Sequence, residues 1–191
     1  PSSGVANAGA LTIAANKTID SMTGAGTTGL GASTLTIGDA TNTSAAYSGI
    51  ASGTGGITKA GTGTLTLTGV STYSGATTIA AGVLNADSTN ALGDGSATNT
   101  LIFTGGTLQA GGTITSPSTR GVTLTSTGII DTNGNTVTLG GIAAGAGGLT
   151  KQGAGTLILS GVNTYTGATT ITTGTLALDA TGTIEPSSGV A

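Results

Sequence analysis

Seven carboxylates, three lysines, one arginine and three tyrosines are the ionisable side chains of this 191-residue sequence, which has neither cysteine nor histidine. The acids are Asp20, Asp39, Asp87, Asp94, Asp131, Asp179 and Glu185. Two carboxylates roughly 5–10 Å apart would suit glycoside hydrolysis. Asp87 and Asp179, however, hold equivalent places in an internal repeat, which sets them about four coils or ~20 Å apart at strand-stacking distance. They read as turn residues that follow strands; a pair among the other acids stays open. Asp94 in Gly93-Asp94-Gly95 and Asp131 in Asp131-Thr132-Asn133-Gly134-Asn135 sit in calcium-loop-like surroundings. Calcium takes six to eight oxygens, usually from several carboxylates, and neither segment offers a second acid. Turn chemistry is the preferred reading of both. Without cysteine or histidine no disulfide or Cys/His metal centre forms. The expectation is no catalytic residue, no cofactor and no metal.

Lys59 and Lys151 stand at the start of equivalent strands. They could bind an anionic glycan, but an amine covering a corner and discouraging edge pairing is preferred. Tyr47, Tyr73 and Tyr165 could stack on sugars. They are scattered singly, and the expected places are corners or the surface. Thr64/Thr66, Thr123/Thr125 and Thr136/Thr138 would make an ice-binding array if stacked on one flat face. Their irregular spacing favours threonine simply as an exposed strand former.

Composition limits the elements that can hold these residues in place. Charged residues are 6% and the net charge is −3, which excludes the basic surface that nucleic-acid binding needs. Hydrophobic residues are 36%, aromatics 2%, so a core exists and is narrow. The 37 glycines and 43 threonines point to many short strands joined by tight turns. No run of ~18 apolar residues appears, so no segment spans a membrane as a helix. No signal-peptide pattern is read, and Pro1 is not an initiator, which is taken as a chain processed or cut from a longer one.

A repeat organises the chain. Residues 55–86 and 147–178 align without a gap at an offset of 92, with 20 of 32 positions identical. Lys59/Lys151, Leu65/Leu157, Leu67/Leu159, Tyr73/Tyr165, Ile79/Ile171 and Leu84/Leu176 are among the matches. PSSGVA at 1–6 recurs at 186–191, an offset of 185. Joined through that hexapeptide, the end and start of the chain resemble 88–115. A tandem period of 185 residues accounts for this, against an origin of the hexapeptide in cloning. The expected organisation is one continuous solenoid over 1–191, with diverged halves at about 1–92 and 93–185, and 186–191 opening the next period.

Alternation such as Thr64-Leu65-Thr66-Leu67-Thr68 and Thr136-Val137-Thr138-Leu139 places aliphatics on one face and threonine on the other. The strands are short, and Gly-Gly pairs and Asn133-Gly134 mark turns. A sandwich would want hairpins and buried aromatics. A fixed repeat with small inward residues favours a solenoid. The fold expected is all-β, an elongated parallel β-helix. At roughly 20–25 residues per coil, 185 residues make about eight coils, ~40 Å long. The expected repeat core is Leu65, Leu67, Ile79, Leu84, Leu157, Leu159, Ile171 and Leu176. The segment 39–48 reads as an insertion relative to the second half.

The repeated block resembles the passenger-associated strand repeat of bacterial autotransporters. The residues that carry it are Gly147-Gly148-Leu149-Thr150-Lys151, Gly153, Gly155-Thr156-Leu157, Leu159, Gly161, Asn163-Thr164-Tyr165, Gly167, Thr169-Thr170-Ile171 and Gly174-Thr175-Leu176. The earlier copy has Ser71 and Val83 where the later has Asn163 and Thr175. The resemblance implies a right-handed parallel β-helix, export to the bacterial surface, and a stalk or adhesin role without catalytic residues. The function expected is a structural stalk or fibre segment of an extracellular or cell-surface protein, built of 185-residue units end to end. The alternative is an adhesin or ice-binding module with an outward Thr face. Expected partners are neighbouring copies of the repeat, with a surface glycan or another cell as a second class; nucleic acid and membrane insertion are not expected.

Overall fold

The computed structural model describes residues 3–38 and 44–184. Every strand pairing in it is parallel, and successive coils stack to make three flat faces. The first face runs β1 (Val5–Ala6), β4 (Met22–Thr23), β7 (Ala45–Tyr47), β10 (Thr64–Leu67), β12 (Val83–Ala86), β14 (Thr107–Ala110), β17 (Gly128–Asp131), β20 (Leu149–Gln152) and β22 (Thr169–Ile171). A parallel bridge between Gly24 and Tyr47 joins its two sheets.

The second face starts with β2 (Ala10–Thr12), β5 (Thr27–Gly29) and β8 (Ile50–Ser52). It then passes through 71–74 and the 3-10 turn Thr89–Leu92 to β15 (Ile114–Ser116), β18 (Thr136–Leu139), β21 (Thr156–Leu159) and β23 (Thr175–Leu178). Thr72 and Ser74 N–H donate to Ala51 and Gly53, and Asp94 N–H to Tyr73, so the ladder continues where the strand lapses. The third face is β3 (Lys17–Ile19), β6 (Leu35–Ile37), β9 (Ile57–Lys59), β11 (Thr77–Ile79), β13 (Leu101–Phe103), β16 (Val122–Leu124) and β19 (Ala143–Ala144). Thr164 and Thr166 N–H extend it by donating to Ala143 and Gly145.

From β1 to β22 the chain completes eight coils, the number expected, over about 38 Å at ~4.8 Å per step. The alternating pattern does what period-2 chemistry requires. In β10 and β18 the threonines face out, while Leu65, Leu67, Val137 and Leu139 are buried. In-register stacking then piles aliphatics into columns, such as Leu65 on Leu84 on Leu108 on Ile130. A column of this kind buries roughly 1.5–3 kcal/mol per side chain. Each added coil therefore stabilises its neighbours.

The turns follow the local sequence. Asn133 (φ +46) and Gly134 (φ +83) are both left-handed, and Asn135 N–H donates to Thr132 carbonyl at 2.7 Å. Asparagine and glycine are the residues that tolerate that conformation. Within the segment read as an insertion, residues 44–48 contain β7, an ordinary rung; 39–43 lie outside the described residues. Among the described residues no helix is long and apolar enough to cross a membrane.

Of the eight residues expected in the repeat core, Leu65, Leu67, Ile79, Leu84, Leu157 and Leu159 are buried. Ile171 and Leu176 depart from this: Ile171 is 36% exposed and Leu176 half-buried. Both lie in the last coil, and no rung among the described residues covers them.

Candidate functional site

The acids are spread out and engaged in turns. Asp94 Oδ1 accepts from Ser96 N–H at 2.9 Å, Asp131 Oδ1 from Asn133 N–H at 2.9 Å, and Asp179 Oδ1 from Thr181 and Gly182 N–H at 2.9 Å each. A hydrogen bond from the Ser160 side chain, followed by those from Thr181 and Gly182, holds the Asp179 carboxyl below the usual range. Asp87 follows β12 on the first face, and Asp179 follows β23 on the second. Asp39 and Glu185 lie outside the described residues. Among the described residues no cluster of metal-ligating groups and no pocket forms.

Asp131 has a second partner. Its Oδ2 accepts from Gln109 Nε2 at 2.8 Å, and Gln109 Oε1 accepts from Asn85 Nδ2 at 2.9 Å. Asn85, Gln109 and Asp131 are cross-strand neighbours in register on the outside of the first face. They make a polar ladder that ties three coils together.

The lysines are not surface groups. Lys59 and Lys151 are buried, 2% and 0% exposed. Lys151 Nζ donates to the carbonyls of Gln152 at 3.0 Å, Gly153 at 2.7 Å and Thr173 at 3.1 Å, and to Thr132 Oγ1 at 2.9 Å. Lys59 Nζ donates to Ala60, Gly61 at 2.8 Å and Ala81 at 3.2 Å. Gly61 and Gly153, at φ +63 and +83, supply the same left-handed turn in both cages. Each ammonium thus closes a corner from inside by gathering carbonyls at the sharp turn; the Gln152 carbonyl also keeps its ladder bond from Thr132 N–H. Burial lowers both lysine pKa values.

The tyrosines are also inside rather than at the surface: Tyr47, Tyr73 and Tyr165 are at most 3% exposed. Tyr73 bonds Thr77 hydroxyl and Tyr165 bonds Thr169 hydroxyl, while Tyr47 hydroxyl meets Thr28 at 2.8 Å. A tyrosine reaches across the narrow coil and needs a partner for its hydroxyl; the threonine supplies it. Ser71 and Asn163, which differ between the two repeat copies, do the same work. Ser71 Oγ accepts from Ala51 N–H at 3.1 Å and Asn163 Oδ1 from Ala143 N–H at 2.8 Å.

Arg120 was not singled out by sequence reasoning. It is fully buried beneath the segment where the second face has a 3-10 turn instead of a strand. It donates to Gly93 carbonyl at 3.0 Å and Asn99 Oδ1 at 2.7 Å. Asn99 in turn donates to Gly75 carbonyl at 2.7 Å. The one available signal was a lone arginine in a chain with hardly any charge.

The threonine pairs do not assemble into an array. Thr64/Thr66 lie on the first face and Thr136/Thr138 on the second, while Thr123 lies on the third with Thr125 just beyond β16. Outward columns mix residue types, as in Thr66, Asn85, Gln109, Asp131 and Gln152. The longest threonine column is single: Thr18, Thr36, Thr58 and Thr78, after which Ile102 follows.

The geometry is therefore that of a repeat whose buried polar residues close corners. The passenger-associated-transport-repeat family matches residues 57–86 and 149–178. The adhesin BmaC autotransporter of Brucella suis biovar 1 (strain 1330) is 44% identical over 110 residues. That match covers 52% of this chain and 3% of the adhesin, so the chain spans a small part of its relative's length. No solved structure matches the chain. Lys59 and Lys151, the Tyr73–Thr77 and Tyr165–Thr169 pairs, and Leu65, Leu84, Leu157 and Leu176 all fall in the two segments that are similar to the passenger-associated-transport-repeat family.

Proposed function

We propose that this chain is a non-catalytic stalk segment of a bacterial cell-surface or secreted passenger, built from 185-residue units joined covalently end to end. The carrying observation is that, among the described residues, both ends of the solenoid leave strand edges and inward aliphatics without a covering strand. Ile171 and Leu178 are 36% and 44% exposed at one end, and Leu11 and Ile19 are only partly buried at the other. A solenoid that stops normally covers its terminal edge and core. Here the sequence at 186–191 repeats that at 1–6, which supports continuation by another copy. Asp94, Asp131 and Asp179 are held in turns and in a structural ladder, which supports a spacer in preference to an enzyme. The low charge leaves a neutral surface, so the rod would hold distal parts of the passenger away from the cell without sticking to it. The adhesin relative supports a surface location.

Mass spectrometry of the native material, with antibody labelling of intact cells, tests this reading. The expected result is a surface-exposed chain much larger than 17.7 kDa that yields these peptides in multiple copies. A discrete subunit of that mass, or labelling only after lysis, would overturn it.

A further inference from the structure

The two repeat copies do not occupy the same faces. In the first copy β9, β10, β11 and β12 lie on the third, first, third and first faces; in the second, the equivalent β20, β21, β22 and β23 lie on the first, second, first and second. Every element has moved on by one face. Counted along the chain, with 71–74 and Thr89–Leu92 each taken as one side, β9 to β20 is thirteen sides. Thirteen sides on a three-faced rod are four coils and one third. The 92-residue repeat is therefore a screw operation that turns the rod by a third with each copy.

This phase determines what fits the open end. Among the described residues β22 pairs only with β20 and β23 only with β21, and no described strand lies on their outer edges. Their first-copy equivalents, β11 and β12, are covered by β13 and β14. Leu101 and Phe103 stack on Thr77 and Ile79, and Leu108 on Leu84. The N-terminal segment has the same pattern as that covering layer. Leu11-Thr12-Ile13 parallels Leu101-Ile102-Phe103, and Thr18-Ile19 parallels Thr107-Leu108. The spacing at the junction is three residues longer. With a period of 185, Leu11 of the following copy falls at 185 + 11 = 196, which is 25 residues past Ile171; Leu101 is 22 past Ile79.

We infer that the open end is a docking surface for the N-terminal coil of the following copy, turned by two thirds of a coil. Its β2 lies on β22 and its β3 on β23, with Leu11 over Thr169, Ile13 over Ile171 and Ile19 over Leu176. The inference rests on the end-to-end reading above and adds the register. Its consequence is that no side of the rod is privileged. Three units bring the faces back into phase, so a feature that occurs once per unit is displayed on all three sides in turn. Ile50 and Val70 form an exposed aliphatic pair, and Ile142 and Val162 are their repeat equivalents. They appear on successive faces by the same screw.

The rival is an unrotated junction that places β1 of the following copy on β22. The two differ in which outward residue sits beside Thr170: Thr12 when rotated, Ala6 when not. The chain has no cysteine, and neighbouring parallel strands are close enough for a disulfide. The experiment uses a two-unit chain, residues 1–185 followed by 1–191, with T170C in the first copy and either T12C or A6C in the second. T78C with I102C, an observed in-register outward pair, calibrates linking efficiency. Non-reducing peptide mass spectrometry should find the T170C–T12C link near the calibrating pair and at least tenfold above T170C–A6C. A dominant A6C link overturns the register. Neither link in a two-unit chain that melts above the single unit also overturns it. Neither link and no gain in melting temperature overturns the end-to-end reading itself.

Discussion

The Tyr73 hydroxyl lies 2.7 Å from the Thr77 hydroxyl inside the coil, and Tyr165 with Thr169 reproduces the contact 92 residues later. Both members of each pair are buried. The hydroxyl that spans the narrow core is thus satisfied within its own coil, by the residue four positions on. Tyr73→Phe keeps the ring and removes one partner. Thr77 Oγ1 retains only a 3.4 Å contact to Leu92 carbonyl. The expected loss is about 1–2 kcal/mol, or roughly 2–8 °C in melting temperature, read by circular dichroism. An unchanged melt would show that the hydroxyl pair adds nothing to packing.

The same burial sets a pH dependence. Desolvation pushes the Tyr73 phenol up to about 12, with the Thr77 hydrogen bond and Arg120 pulling it back and Asp94 adding to the rise. The unfolded chain ionises this tyrosine near 10, and the folded chain does not. Stability from Tyr73 is therefore complete below pH 10 and is lost as pH rises from 10 to about 12, by about 3 kcal/mol at most. Tyr165 shifts in the same direction. Lys59 and Lys151, with pKa values lowered by burial, act oppositely: the folded state gives up their protons first, so stability rises with pH up to about 10.5. Melts from pH 9 to 12 should fall above 10 and fall less steeply in Tyr73→Phe. Parallel profiles for the two chains would remove Tyr73 as the cause.

Much of the fold was legible because its signals are local. Alternation at Thr64–Thr68 gives the inward leucines, Asn133-Gly134 gives its turn, and the 92-residue offset gives the stacked architecture. The buried polar residues were not legible in the same way. Lys151 and Tyr165 have side chains that usually face water; Tyr165 is made an interior group by the Thr169 hydroxyl of its own coil, and Lys151 in part by Thr132 and Thr173 of neighbouring coils. Those neighbours lie about 20 residues away, as Thr132 does from Lys151, so a linear pattern does not show them. Arg120 fills a defect in the strand ladder that is visible only once the ladder is built. The one-face shift between repeats likewise needed the strand pairing, because sequence equivalence gives an offset in residues and not in sides.

Lys151 leads to a third prediction. Lys151→Met keeps the length and removes four hydrogen bonds. Relief of the buried charge opposes the loss, but the carbonyls of Gly153 and Thr173 would stay turned inward without the ammonium, while Gln152 keeps its bond from Thr132 N–H. At about 1–3 kcal/mol for each unsatisfied buried group, partly relieved by water at the corner, the net loss is about 2–4 kcal/mol. Urea denaturation measures it. A stabilised variant would mean that desolvation of the ammonium outweighs its cage.

Glycine provides a test of coil spacing. A Cβ on Gly155 would overlap the Asn135 carbonyl of the coil beneath, whereas one on Gly9 meets nothing within 4 Å. Gly155→Ala must push two coils apart and should cost more than about 2 kcal/mol. Gly9→Ala should fall within about 0.5 kcal/mol of the parent. Equal effects in thermal melts would contradict the close approach of the backbones at that corner.

Leu84 and Leu176 are sequence equivalents with different surroundings, and they test whether the last coil is an open end. Leu84 is fully buried between Leu65 and Leu108, while Leu176 stacks on Leu157 alone and is half-buried. Removing a leucine side chain from a closed column costs about 3–5 kcal/mol. With one neighbour missing, less area is buried to begin with and water fills the space left, so Leu176→Ala should cost about 1–2 kcal/mol in the single unit. In a two-unit chain Ile19 of the following copy would cover Leu176, and Leu176→Ala in the first copy should then approach the Leu84→Ala cost. Urea melts of the four variants decide it. If Leu176→Ala stays cheap when a second unit follows, the last coil is not covered by that unit and the rod does not run on through the junction.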